Sequence, residues 1–401
     1  MSYALTASTP AGARVLDVVE GLTPSLRARA AAADRDNAIC AGNFDDIRTS
    51  GLQGAFVPSE LGGFGLDSMH DWIAAIARLA RAEPSVAIAM NMHFSATRGL
   101  LNVWRSSASS DAARARAADL LGQIGAGTVL ICSTTTESGT DNLHPLTEAV
   151  RTDTGWRVSG VKHFVTMSPI ATHVSLNVRA EGPEGDSIAN VFMPMSTPGI
   201  EPQGDWDALG MRGSGSQSIV FDACEVPADA VRFIGPWGRW STPVLIHRTV
   251  ANTPLVGAFL GIAERAIELT LVAAKSTHKT VSAGLLHTVA EMEIAVATSQ
   301  CLMSMTGQRL DHFLTTNLSP TIEDGHELMK DYQSVKWVVN QQAIEIVSQA
   351  MDVAGGGGFL NRNELTRLYR DVRAGPFMQP YSRVDARHYV GRVAVGHLPV
   401  D

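Results

Sequence analysis

Ala354 to Tyr381 reads A-G-G-G-G-F-L-N-R-N-E-L-T-R-L-Y-R-D-V-R-A-G-P-F-M-Q-P-Y. Gly355 to Gly358 end a long run with helical spacing, and a second helix starts near Leu365. Glycine lacks Cβ, so it tolerates positive φ and lets a ligand or another backbone approach closely. Read locally, the cluster is equally well a glycine C-cap between two helices. The organisation of the surrounding chain decides between these readings.

The chain has 401 residues, 45% hydrophobic and 18% charged, enough for two or three domains or one large composite core. Net charge is -8 with no basic stripe, which argues against nucleic-acid partners. The apolar runs are too short to span a bilayer. Met1 to Pro10 lacks a charged stretch followed by an apolar core, so no signal peptide is expected. Cys40, Cys132, Cys224 and Cys301 are scattered without a C-x-x-C pair, which argues against a metal site and a disulfide framework. A cytoplasmic, reducing setting is the expectation.

Working outward, residues 1–126 read as a helical block: helical spacing over 11–50, a Gly/Pro loop at 51–66, then helices over 69–83, 85–104 and 111–125, with Ser110 or Asp111 as the cap of the last. Residues 127–240 change character. Short β-rich runs such as Val129-Leu-Ile-Cys, Trp156-Arg-Val-Ser, His173-Val-Ser-Leu and Ser218-Ile-Val-Phe alternate with turn signals. No helix-length segment separates them, so the expectation is an antiparallel sandwich or barrel and not a dinucleotide-binding βαβ unit. Residues 241–401 return to long helices, at 243–277, 285–315, 326–354, 364–373 and 382–395, suited to a bundle. The fold class expected is therefore α+β, mostly α, in the order α, β, α.

Four segments in that order resemble the acyl-CoA dehydrogenase superfamily. They are Val57-Pro-Ser-Glu-Leu-Gly-Gly-Phe-Gly, Cys132-Ser-Thr-Thr-Thr-Glu-Ser-Gly-Thr-Asp141 with Gly160-Val-Lys-His-Phe-Val-Thr166, Leu209-Gly-Met-Arg-Gly-Ser-Gly-Ser through Val226-Pro227, and the opening stretch with Arg370-Asp371. The resemblance implies FAD between the β domain and the C-terminal helices of a homotetramer or dimer. It implies Thr134 and Thr166 as partners of the flavin ring, Thr135, Gly139 and Thr140 beside them, and Phe164 as the wall under the ring. It also implies that Gly355 and Gly356 approach the cofactor of a neighbouring subunit. Arg212 and Ser216 look structural in such a scheme.

The chain departs from the family pattern in three places. The family's T-E-P-x-x-G-S-D is here Thr134-Thr-Thr-Glu-Ser-Gly-Thr-Asp141, which puts CoA recognition in question. The region of the family's pyrophosphate-binding Arg reads Lys275-Ser-Thr-His-Lys279, leaving His278 or Lys279 as substitutes; neither offers a bidentate fork. Nine residues beyond Arg370, where the catalytic Glu is expected, stands Gln379, and an amide is no base at neutral pH. The family's alternative base position falls near Ala251 and Asn252, with His247 and Arg248 the nearest ionisable groups.

Loss of the base fits the family's reduced-flavin monooxygenase branch. There flavin (FAD, or alternatively FMN) arrives reduced from a separate reductase, and its C4a-hydroperoxide transfers oxygen to a small organic substrate. His93, a polar residue in an apolar helix, is a candidate catalytic group on that reading, with Ser133 or Thr135 near flavin N5 and Gln379 in the old base position. His163 ranks below His93, and His388 resembles a C-terminal His of some members. An FAD-dependent acyl-CoA or acyl-carrier dehydrogenase, served by an electron-transfer partner, and a non-catalytic homologue are the alternatives.

Overall fold

The computed structural model describes residues 3–276 and 282–399. Five helices come first: α1 (Pro10–Asp36), α2 (Ala41–Ser50), α3 (Met69–Ala82), α4 (Pro84–Arg105) and α5 (Asp111–Gly125). Side-chain caps set their starts. Ser68 accepts from Asp71 N to open α3, and Ser110, not Asp111, caps α5 by accepting from Ala113 N; such caps contribute about 1 kcal/mol each. Glu83 caps α4, with Pro84 in the first turn where its missing N–H leaves nothing unpaired.

Eight strands follow: β1 (Ile131–Thr134), β2 (Glu148–Arg151), β3 (Gly155–Val165), β4 (His173–Gly182), β5 (Gly185–Pro194), β6 (Ile200–Pro202), β7 (Gln217–Pro227) and β8 (Val231–Pro236). They form one sheet in the order β6-β7-β3-β2-β4-β5-β8, with β1 also on β4. The antiparallel expectation needs correction. Most pairs are antiparallel, but β1 and β2 both run parallel to β4, at Ile131↔His173 and Glu148↔Arg179. The chain leaves β1 through a loop and re-enters the same edge of β4 in the same direction, a long-range pairing that local patterning cannot reveal.

The last five helices are α6 (Thr242–Ser276), α7 (Ala283–Thr316), α8 (Ile322–Ala354), α9 (Glu364–Asp371) and α10 (Arg383–Ala394), close to the ranges expected from periodicity. One contiguous apolar core runs through both helical blocks and the sheet, with Trp72, Phe94, Trp156, Phe221, Phe259 and Tyr332 among its buried side chains. No described helix is long and apolar enough to cross a membrane. His278 and Lys279 lie outside the described residues.

The glycine cluster does cap α8: Gly355 has φ +60, and its N–H reaches Met351 and Asp352 carbonyls. A single turn, Gly355–Phe359, leads into α9. From α9 the Arg370-Asp371 backbone packs against the β-domain loop so closely that a Cβ on Gly210 would stand 2.3 Å from Arg370 O. Gly210→Ala should therefore destabilise the fold by about 1–3 kcal/mol, the range for overpacking. A chemical-denaturation midpoint unchanged from wild type would show that the loop is free to lift.

Candidate active site

The chemistry-bearing residues converge where the loop after α9 crosses the mouth of β1. α8 holds this loop from below. Tyr332 Oη donates to Gln379 O at 2.7 Å, and the buried Lys336 Nζ donates to Tyr381 O at 2.6 Å and to Met378 O. Burial pushes the Lys336 ammonium down to about 7. Thus fixed, Gln379 spans two hydroxyls of the β1 exit. Its Nε2 donates to Thr136 Oγ1 at 2.5 Å, and its Oε1 lies 3.0 Å from Thr135 Oγ1. Thr135 Oγ1 has one hydrogen, shared between Gln379 Oε1 and Asn142 Oδ1, also at 3.0 Å, and it accepts from Arg248 Nη1 at 3.1 Å. The amide is thus a neutral bridge between the C-terminal block and the sheet.

The carboxylate nearest in sequence to this bridge is Glu137, and it is occupied. It accepts from Leu146 N at 2.6 Å and Thr147 N at 3.0 Å, and pairs with the fully buried Lys162. Lys162 and these amides hold its carboxyl low against the opposing effect of burial. Arg248 is the reverse case. It is buried at 6% exposure, its Nη2 has no partner, and desolvation pushes it down to about 10. An unpaired buried cation is costly unless a ligand completes it.

Beside the bridge, the end of β3 presents a flat apolar wall. Phe164 is 59% exposed with φ +53, and its ring meets Trp206 edge-to-face at 6.0 Å. Behind it, Thr166 Oγ1 is 2.9 Å from Ser216 Oγ, which is 2.7 Å from Ser214 Oγ. Thr134 Oγ1 donates to His163 O at 3.1 Å, and His163 Nδ1 meets Ser218 Oγ at 2.8 Å. Thr140 Oγ1 donates to His144 O at 2.6 Å, while Gly139 and Gly356 have open space where a Cβ would project. Ser133 is half-buried, in register with Ser175 across the sheet, and His388 is exposed on α10. The structure thus brings Gln379, Thr135 and Thr136 together, with Thr134, Phe164 and Thr166 on the adjoining strand ends.

His93 is corrected. It is fully buried between α4 and β1; Nε2–H donates to Gln53 O at 2.9 Å and Nδ1 accepts from Ile131 N at 3.1 Å. Both ring nitrogens serve the core, so none is left for a reacting group. Sequence reasoning names His247 and Arg248 only as the ionisable groups nearest the family's alternative base position and gives neither a role. A second signal is that two adjacent ionisable residues stand within a strongly apolar helix.

Three family models match the chain in order: the acyl-CoA dehydrogenase N-terminal domain at residues 18–108, the middle domain at 131–224 and the C-terminal domain at 251–379. The chain is 37% identical over 394 residues to amino sugar nitrososynthase DnmZ of Streptomyces peucetius, an alignment covering 97% of this chain and 94% of that protein. It superposes with a TM-score of 0.94 on KijD3 in complex with FMN and dTDP-3-amino-2,3,6-trideoxy-4-keto-3-methyl-D-glucose, at 34% identity over 100% of this chain and 97% of that one. The nitrososynthase from Micromonospora carbonacea var. africana gives a TM-score of 0.91 at 33% identity, covering 99% and 100%. The chain belongs to the acyl-CoA dehydrogenase family.

The role of His93 has a pH signature. Burial pushes its imidazole down to about 4, against an ordinary 6.5. Between those values the unfolded chain binds more protons, so stability falls as pH drops through that window. The loss is on the order of 3 kcal/mol. His93→Gln should flatten this part of the profile when denaturation midpoints are followed from pH 7 to pH 4. An unchanged slope would remove His93 as its source.

Proposed function

We propose that the protein is a reduced-flavin-dependent monooxygenase that oxidises the amine nitrogen of a nucleotide-linked amino sugar. One observation carries this reading: the loop over the site presents the Gln379 carboxamide, and Glu137 close by is tied to Lys162 and two backbone amides. Removal of an α-proton from a thioester needs a free carboxylate there. Oxygen transfer to an amine does not, because the nitrogen lone pair is the nucleophile. The likeness to amino sugar nitrososynthases and to a structure holding FMN with an amino-keto sugar supports the same class.

The residues fit a flavin. Phe164, exposed in a left-handed conformation beside Trp206, offers an uncovered flat face, and aromatic rings stack on such faces. Thr134, Thr135 and Thr166 line the adjoining edge with hydroxyl and backbone groups, and FMN is the form favoured by the KijD3 complex. Bound reduced flavin supplies the two electrons with which dioxygen delivers one atom to the amine and loses the other as water.

The chain's own residues do the rest. Gln379, braced by Tyr332 and Lys336, offers a neutral acceptor and donor to orient the sugar's polar groups. Arg248, buried with Nη2 unpartnered, is placed to hold an anionic group of the substrate. We infer that a separate reductase supplies the flavin. A neighbouring copy in a dimer or tetramer suits the exposed Phe359 and Phe377 flanking α9.

The test combines reduced FMN, oxygen and a dTDP-linked amino sugar, with mass spectrometry of the product. Oxygen should be gained at nitrogen, giving the hydroxylamine and then the nitroso sugar. Gln379→Ala should lower kcat roughly a hundredfold through misplacement of the substrate. Anaerobic bleaching of the flavin by butyryl-CoA would sink the proposal.

A further inference from the structure

The sheet face next to the Gln379 bridge carries the positively charged Arg232. Ser133 lies opposite Ser175, and Asn190 opposite Arg232. Asn190 Nδ2 donates to Ser175 Oγ at 3.0 Å, joining the two pairs. Residues directly opposite in a sheet share a face, so hydroxyls, an amide and a guanidinium form one polar floor. α4 packs on β1 and α6 on β8, and Asn91 Nδ2 of α4 donates to Ala251 O of α6 at 3.2 Å. Arg98 follows two turns after Asn91, and His247 precedes Ala251 by one turn.

These groups lie near one another, since the charges of Arg248, Arg232 and Arg98 all act on His247. His247 keeps contact with solvent, and partial desolvation together with the charges of Arg248, Arg232 and Arg98 pushes its imidazole down. The acids acting on Arg98 are committed elsewhere: Asp67 pairs with Arg105 at 2.6 Å, and Asp311 accepts from Ser68 Oγ at 2.7 Å and Met69 N at 2.5 Å. Desolvation alone acts on Arg232 and Arg248, with no acid offsetting it. Arg98 Nε and Arg248 Nη2 are buried without a partner.

We propose that this cluster is a phosphate seat, in which Arg98, Arg232 and Arg248 grip the diphosphate of the nucleotide-linked substrate and His247 adds a donor. Guanidinium forks match phosphate oxygens bidentately, and three of them exceed what a single carboxylate needs. Arg248 also donates to Thr135, the neighbour of Gln379, so the anion lies one side chain away from the bridge that orients the reacting sugar. The choice of a substrate diphosphate over the flavin's own phosphate rests on the function proposed above.

The test is calorimetric titration of the full chain with dTDP, inorganic pyrophosphate and FMN in turn, for wild type, Arg98→Gln, Arg232→Gln and Arg248→Lys. Wild type should bind dTDP and pyrophosphate. Both glutamine variants should weaken these about tenfold or more while FMN affinity stays level. In wild type, the His247 resonance, assigned through His247→Gln, should titrate at higher pH once pyrophosphate is bound. That readout is independent of whether any arginine variant folds. Unchanged dTDP binding in Arg98→Gln and Arg232→Gln, or no response at His247, overturns the proposal. Loss of FMN binding with dTDP binding intact overturns it too and assigns the seat to the flavin phosphate. If dTDP binding depends on the arginines while no amine is oxygenated, the seat stands and the amine chemistry falls.

Discussion

A buried chain of charges, Glu83–Arg367–Asp371, fixes the three parts of the molecule to one another. Glu83 caps α4 and pairs with Arg367 at 3.0 Å; Arg367 lies 3.5 Å from Asp371; Asp371 accepts from Met211 N at 2.6 Å. Arg370 adds a pair with Asp34 on α1. Two carboxylates share one guanidinium in the interior, and desolvation pushes Glu83 up to about 7. Removing one member of such a group leaves uncompensated buried charge, typically at about 3–5 kcal/mol. The parts of the candidate site hang from these anchors. α4 carries Arg98, the loop through Met211 leads to Ser214 and Ser216 behind the Phe164 wall, and α9 feeds the loop that ends in Gln379.

That dependence explains which features sequence reasoning reaches. Helices of both blocks are legible because each buries an apolar stripe at helical spacing, and Ser110 marks the start of α5 with a capping side chain, whereas the Thr321 cap, which starts α8 four residues before the expected 326, goes unread. β6 and β8 go unread. β6 is three residues long, and β8 has one side on β5 and little apolar alternation. The two parallel pairings on β4 depend on where a loop returns, which no local pattern encodes.

The site divides the same way. Gln379 is legible because its place in the chain is tied to Arg370, and its chemical type alone excludes a base. His93 stands out as a polar residue in an apolar helix, yet its role depends on the Gln53 carbonyl and the Ile131 amide, two backbone groups with no sequence signature. Arg248 is harder still. What distinguishes it is a missing partner, and a missing partner is visible only when every neighbour has been placed.

Charge then sorts the chemistry. Relative to a dehydrogenase site, this one replaces the free carboxylate by an amide, neutralises Glu137 with Lys162, and leaves Arg248 uncompensated beside Thr135. A buried guanidinium nitrogen without a partner favours an anionic ligand. On the function proposed above, the anionic end of the substrate would be held by charge, and the lone pair of its amine would be the nucleophile that accepts oxygen.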